Sequence, residues 1–342
     1  MKITSKKLQN EILILADKRP GTAAQAIGLA EEIAKKANVS YKIINLDYGF
    51  LSSLPNVFLS KSLLRLTRNS RKEILEIGHL PSLVISAGRR STPIALHLKK
   101  ESKNQTKIIQ IMNPNLDFKK FDFVILPKHD EVNEERFPNL ITTIGALTRV
   151  DEKRLASESK KFPELEKITK IKIALLVGGS SNKTKFTTES AKKLAKISAD
   201  LAKKMNATLL ILNSRRTGAE LNEALKSGLS GDYQFFDWEE VKEKNPYFAI
   251  LNCADFFVIT GDSVSMISEC CSTGKPVYIF DEAEISSAKH RIFHRELVGQ
   301  NYARKLFENF VLENFLPKKL CETKRVAGLI LLADRAESRT GE

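Results

Sequence analysis

Short apolar runs alternate along this chain with longer stretches whose apolar residues recur every three or four positions. The runs fit buried strands and the longer stretches fit amphipathic helices, which together predict α/β layers built on parallel sheets. In the first half the pattern predicts strands over Glu11–Ala16, Tyr41–Leu46, Leu83–Ser86, Lys107–Met112, Phe123–Leu126 and Leu140–Thr143. Helices are expected over Thr22–Lys36, Lys61–Ile77 and Thr92–Lys100. Strand signals return at Ile171–Val177, Thr208–Leu212, Gln234–Phe236, Phe256–Ile259 and Val277–Phe280, with helices at Thr187–Lys204, Glu220–Leu229 and Ser263–Ser272 between them. The charged segment 151–170 reads as a connection with room for a short helix. This divides the chain into an α/β domain over 1–150, a connection over 151–170 and a second α/β domain over 171–320. A last helix near Glu322–Asp334 and a frayed tail from Arg335 to Glu342 complete the expectation.

Doubly wound sheets bind ligands beyond the carboxyl ends of their strands, so the loops there carry the candidate chemistry. The most informative stretch is Val258–Phe280. Its strand ends at Thr260-Gly261, Asp262 or Ser263 can cap a short helix, and Gly274 with Pro276 ends it. A helix opening just after a strand presents free N–H groups and a positive dipole end, which suits a phosphate. Asp262, Ser265 and Glu269 fall at helical spacing on one stripe, with Met266 beside them. The stripe fits a nucleotide whose ribose hydroxyls reach Glu269, and it equally fits an ordinary capped helix.

Other loops offer similar pairs of readings. Gly178-Gly179-Ser180, within the loop running on to Lys183, lets backbone approach an anion, or is a plain turn. Arg215 and Arg216 can clamp a diphosphate, or form surface ion pairs. Asp17, followed by Arg19, Gly21 and Gln25, can take a proton from an acceptor hydroxyl, or simply start a helix. Gly88-Arg89-Arg90-Ser91 resembles an anion site at a helix start. Asn113 lies in a further post-strand loop. His129 and Asp130 can act as an acid/base pair, although neighbours in sequence usually point apart. From Asn56 to Lys72 apolar and basic residues mix, and Phe58, Leu59, Leu63, Leu64 and Leu66 can face either a core or an anionic bilayer.

Composition narrows the field. With 342 residues, 42% hydrophobic and 28% charged, the chain suits two soluble domains. No apolar run is long enough for a membrane span, and the first residues do not read as a signal peptide. Cys253, Cys270, Cys271 and Cys321 form no C-x-x-C pair and read as reduced, which fits a cytoplasmic protein. The histidines do not cluster with cysteine at ligand spacing, so no metal and no bound cofactor is expected. A net charge of +14 favours anionic partners such as nucleotides, phosphorylated sugars or an acidic membrane surface. Nucleic acid is not expected, because no recognition helix, zinc finger or RNA-binding signature is present. Neither a Walker loop nor a G-x-G-x-x-G occurs, which removes the usual support for ATPase or nicotinamide chemistry.

Ala16–Ile33, Ser82–Leu96, Ile108–Leu116, Pro127–Asp130, Leu175–Thr187, Ser214–Thr217, Asn245–Phe280 and Phe293–Leu297 together resemble the mitochondrial-fission elongated-mitochondria family, in the expected order from about Asp17 to Arg304. That family is similar to GT-B glycosyltransferases, which carry two Rossmann-like domains facing a cleft and bind a nucleotide-sugar mainly in the C-terminal half. The resemblance implies that Gly178–Ser180 and Ser263–Met266 sit at the diphosphate and that Glu269 holds ribose or sugar hydroxyls. It also implies that the helix within 321–342 packs back on the N-terminal domain. Asp17 occupies the region where several inverting GT-B enzymes place their base, and His129 is the second choice. The implied activity is metal-independent sugar transfer from a nucleotide-sugar to an unknown acceptor, in a bacterial member. The alternative is a non-catalytic adaptor with peripheral membrane contact, as plant members suggest.

Overall fold

The computed structural model describes residues 8–182, 184–307 and 315–340. Lys183 of the glycine loop, the opening residues Met1–Lys7 and the last two, Gly341 and Glu342, lie outside these. The described residues divide into two units. One holds the chain up to Arg149 together with everything from Cys321 onward, and the other runs from Val150 to Leu320.

The first unit contains β1 (Leu8–Asp17), α1 (Pro20–Ala37), β2 (Ser40–Leu46), α2 (Asn56–Leu59), α3 (Arg68–Leu75), β3 (Leu80–Ala87), α4 (Thr92–Glu101), β4 (Lys107–Ile111), β5 (Phe123–Pro127) and β6 (Leu140–Thr143). All six strands are parallel, in the order β2-β1-β3-β4-β5-β6. Strand side chains alternate between faces, so one run of apolar residues supplies two cores. Leu13 and Leu15, with Val84, Ile108 and Val124, pack on Ile74, Leu96 and Leu98. Ile12 and Ile14, with Ile85, Ile109 and Ile125, pack on Ala26, Leu29 and Ile33 of α1. Each such fully buried Leu or Ile contributes about 1.5–3 kcal/mol.

The second unit contains α5 (Glu152–Ser159), α6 (Pro163–Glu166), β7 (Lys172–Leu176), α7 (Thr188–Met205), β8 (Thr208–Leu212), α8 (Gly218–Gly228), β9 (Tyr233–Phe236), α9 (Trp238–Val241), α10 (Tyr247–Cys253), β10 (Phe256–Thr260), α11 (Val264–Thr273), β11 (Val277–Phe280), α12 (Ala288–Gly299) and β12 (Arg304–Lys305). Its parallel order is β12-β11-β10-β7-β8-β9. Ile173, Leu175 and Val177 pack toward Leu194, Ala195 and Leu225 on one face. The remaining helix, α13 (Glu322–Thr340), returns to the first unit, where Val326, Ala327 and Ile330 join Ala26 and Leu29 of α1.

Several expectations change. The helix expected over 61–77 shortens to α3 alone, and the backbone between α2 and α3 is irregular. Lys61 takes a left-handed φ of 61° and Thr67 caps α3 by accepting from the Ser70 N–H at 3.4 Å, so no continuous helical face exists. Leu59, Leu63 and Leu66 turn inward, whereas Phe58 is 78% and Leu64 53% exposed. Arg65 is fully buried. Residues 151–170, read above as a connection, form α5 and α6 and cluster with the second unit. The expected fraying from Arg335 is replaced by helix through Thr340. The helix α12 was not anticipated. Ser287 caps it by accepting from the His290 N–H at 3.3 Å.

Candidate functional site

In the second unit the strand order reverses between β7 and β10, and such a switch point is where open α/β sheets bind ligands. The glycine loop follows β7, the Ser214–Thr217 loop follows β8, and Asp262 and Ser263 follow β10. Gly178 donates its N–H to Thr260 Oγ1 at 2.8 Å, and Gly179 donates to Asp262 Oδ2 at 3.1 Å. The Asp262 carboxylate, 1% exposed, also accepts from Arg216 Nη2 at 2.6 Å. Arg216 Nη1 donates to Gly179 O at 3.0 Å, and Thr217 Oγ1 to Gly178 O at 2.5 Å. An added Cβ at Gly178 would overlap the Asp262 carboxylate, and one at Gly179 would overlap the Arg216 backbone. The glycine bend is therefore filled by the protein's own carboxylate. Asp262 does not share the outward stripe expected of it, because the helix begins one residue later and leaves Asp262 outside the helical repeat.

The start of α11 is built as the sequence suggests. Ser263 is the cap, accepting from the Met266 N–H at 3.4 Å, and Gly274 ends the helix at φ 79°. Ser265 and Met266 are half-buried in its first turn. Glu269 is buried and accepts from the Tyr247 hydroxyl at 2.5 Å. Burial, and then the charge of Glu269, push the Tyr247 phenol well above its ordinary value, so it stays a donor. Lys275 of the Gly-Lys-Pro break is not a ligand group. Its Nζ donates to Ala254 O at 2.7 Å and Asn252 O at 2.5 Å, which satisfies the open end of α10. Ser180 Oγ accepts from the Phe186 N–H at 3.0 Å, closing its own loop. Arg215 is exposed.

Beside this site lies an unanticipated buried group. His294 Nδ1 lies 3.1 Å from Asp281 Oδ1, and Lys305 Nζ lies 3.5 Å from Oδ2. Burial pushes the Asp281 pKa up, but contacts from His294 and Ser286 and the charge of Lys305 outweigh it and bring it down to about 2. Burial lowers the His290 pKa, and His294 adds to that effect.

In the first unit the order reverses between β1 and β3. Asp17, at the end of β1, has a side chain 2% exposed and is gripped by Arg90 from the loop after β3. Arg90 Nη2 donates to Oδ1 at 2.6 Å and Nε to Oδ2 at 3.1 Å, while the Arg19 N–H donates to Oδ1 at 2.9 Å. Both Asp17 oxygens thus already accept hydrogen bonds, and a role as base requires that pair to open. The Arg90 guanidinium lies 4.5 Å from the centre of the Tyr48 ring. Burial, then Asp17, raise the Tyr48 pKa.

Gly88 takes φ 78°, and Ser91 Oγ donates to Ala87 O at 2.9 Å. Gln110, fully buried within β4, accepts from Ser86 Oγ at 2.7 Å and Thr92 Oγ1 at 3.1 Å, and pins this loop from inside the sheet. Gly21 lies in the first turn of α1, where its carbonyl accepts from buried Gln25 at 3.3 Å. Exposed Asn113 follows β4, and its Oδ1 accepts from the Asn115 N–H at 2.8 Å. His129 is buried in a 3-10 turn after β5, next to half-buried Asp130. The switch point thus assembles Asp17, Arg19, Arg89 and Arg90, whereas Asn113, His129 and Asp130 belong to strands further along the sheet. Among the described residues no group of His, Cys, Asp or Glu could hold a metal ion, and no helix is long and apolar enough to cross a membrane.

The uncharacterized protein RP120 of Rickettsia prowazekii is 31% identical over 94% of this chain and 98% of its own length. The mitochondrial fission protein ELM1 of Arabidopsis thaliana is 29% identical over 58% of this chain and 51% of its own length. Among solved structures, a putative UDP-N-acetylglucosamine 2-epimerase of Listeria monocytogenes superposes with a TM-score of 0.56 at 11% identity, over 95% of this chain and 88% of that one. The fold is of the GT-B class, two Rossmann-like α/β units of the kind found in glycosyltransferases and such epimerases. Residues 20–333 match the family described as Mitochondrial fission ELM1, and this chain belongs to that family.

Proposed function

We propose that this chain is a GT-B-type sugar transferase whose second unit takes a nucleoside diphosphate sugar as donor. The carrying observation is the switch point between β7 and β10, where α11 opens with a serine cap and carries a buried acid, Glu269, with exposed Arg215 in the loop after β8. In this reading the α11 amino end and Arg215 receive the diphosphate, and Glu269, held by Tyr247, receives ribose or sugar hydroxyls. The Asp262–Arg216 pair acts as a brace for the loops rather than as a clamp. Neutralisation of the leaving diphosphate by helix dipole and guanidinium is the main rate effect the site offers. Asp17 serves as acceptor-side base once Arg90 swings away, with His129 as the second candidate. The Listeria structure named above is of a protein described by a UDP-sugar substrate, so UDP-sugars head the test. Calorimetry against UDP-, GDP-, ADP- and CMP-sugars should give saturable binding to one of them that is weakened by Glu269→Gln. No heat from any at millimolar concentration overturns the reading.

A second reading, a peripheral adaptor on an anionic membrane, draws on one observation. Phe50, Val57, Phe58 and Leu64 are 88%, 71%, 78% and 53% exposed, in a stretch from Tyr48 to Lys72 that has no acidic residue. Co-sedimentation with anionic vesicles that survives Glu269→Gln but is lost in a Phe50→Ser, Phe58→Ser double variant would favour it.

A further inference from the structure

Arg65 is buried at 0% exposure, yet it meets no carboxylate. Its Nη1 donates to Arg89 O at 3.2 Å and its Nη2 to Leu54 O, while Nε has no hydrogen-bond partner. Arg89 is satisfied in the same way. Its Nη1 reaches Ser53 O and Leu54 O, each at 3.4 Å. The two guanidiniums therefore share one carbonyl, that of Leu54. The nearby acids are already committed: Asp17 to Arg90, and Asp47 to Lys18 at 2.8 Å. Buried charges are normally paired, and like charges side by side in a low-dielectric setting repel unless an anion joins them. Burial lowers the Arg65 pKa first, and the charges of Arg89 and Arg90 lower it further.

Hydrogen-bond donors are left over on Arg89, on its chain neighbour Arg90 and on the Tyr48 ring that Arg90 covers. Arg90 commits Nε and Nη2 to Asp17 and keeps Nη1, and Arg89 keeps Nε and Nη2. The Tyr48 hydroxyl, beneath Arg90, is buried and has no hydrogen-bond partner. The charges that face this phenol are Asp17, Arg90, Arg19 and Arg65, three positive against one negative. All of this lies at the carboxyl edge of the first unit's sheet, at its own switch point.

We propose that Arg89 and Arg90, with Tyr48 beside them and Arg65 beneath, form an oxyanion subsite in the first unit that takes a phosphoryl group. Guanidinium forks match phosphate oxygens through paired, charge-assisted hydrogen bonds. Arg65 acts as a positioning residue: it ties the Leu54 and Arg89 loops together and raises the local potential without touching the ligand. The subsite does not rest on the donor reading above, because it belongs to the other unit. It implies that whatever binds there, a small phosphate ester or a phospholipid headgroup, is itself acidic.

The test is calorimetry of the full chain with inorganic phosphate and phenyl phosphate at low salt. Saturable binding is expected that weakens as ionic strength rises, falls about tenfold or more in Arg89→Met and is partly kept in Arg89→Lys. UDP-sugar heats serve as the separate readout, unaffected by Arg89→Met, so failure of the donor reading leaves this result standing. If Arg65→Met does not fold by circular dichroism, the two Arg89 variants decide the matter. Vesicles with and without phosphatidic acid distinguish the sources. Capture that free phosphate competes away indicates a headgroup, and binding of phenyl phosphate without capture indicates a soluble ester. Failure of the folded wild type to bind phosphate, or equal binding by Arg89→Met, overturns the proposal.

Discussion

Asp17–Arg90 in the first unit and Asp262–Arg216 in the second are the same device placed on two different strand orders. In each, a carboxylate almost closed to solvent, 2% and 1% exposed, accepts from an arginine Nη2 at 2.6 Å. In each, the pair joins loops from separate strands at the reversal of the sheet. The surroundings differ. In the second unit the carboxylate fills a glycine bend and its arginine grips backbone, so the brace is complete. In the first unit the brace leaves Arg65 and Arg89 with carbonyl partners only. The same ion pair thus yields a closed scaffold in one place and surplus positive charge in the other. An Asp–Arg pair at a switch point is therefore evidence of how loops are held, and the unmatched groups around it carry the functional information.

The contrast can be tested from the largest expected effect downward. Arg90→Met strands a buried carboxylate and should cost about 3–5 kcal/mol in chemical denaturation. Arg216 is 35% exposed, water reaches the stranded Asp262 more easily, and Arg216→Met should cost less, about 2 kcal/mol. Equal costs would break the contrast. Gly179→Ala forces a Cβ into backbone and should destabilise the second unit by about 3 kcal/mol, followed through the single tryptophan, Trp238, in that unit. Gly88→Ala meets only Thr22 Cγ2 at 3.3 Å and suffers its φ of 78°, at about 1 kcal/mol.

Acid provides a third measurement. Asp281 has its pKa lowered from 3.8 to about 2 in the folded state. The unfolded chain therefore takes up the proton first as pH falls. The resulting stability, about 2 kcal/mol, is fully present above pH ~4 and is lost as pH drops toward ~2. Trp238 fluorescence should show the second unit unfolding over that window, and Asp281→Asn should flatten the dependence. The smallest effect is on Arg215. Its replacement by Ala should shift stability by no more than about 0.5 kcal/mol, while weakening nucleotide-sugar binding.

Much of the architecture was legible because buried parallel strands read as short apolar runs, and alternation within Ile12–Leu15 already assigns residues to two faces. The start and end of α11 were legible from Ser263 and Gly274, whose roles depend on local geometry alone. What escaped depends on distant partners. Asp17 meets Arg90 only because β3 lies beside β1, and no spacing rule reports that. Arg65 falls within the helix expected over 61–77, but the backbone from Lys61 to Thr67 is irregular and its guanidinium bonds to the Leu54 and Arg89 carbonyls. Gln110 sat inside an apolar strand with no sign that it anchors the loop beyond β3. The glycines at 178 and 179 looked like an opening, and their close approach serves Asp262 instead.

The return of α13 to the first unit has a consequence for biosynthesis. The apolar surface of α1 that Val326, Ala327 and Ile330 pack on is translated early, but its cover leaves the ribosome only after the whole second unit has been made. The earlier half must wait with oily surface uncovered while the later half matures, which inverts the usual amino-first order of domain completion. Chaperone engagement should therefore concentrate on nascent chains that already display the second sheet.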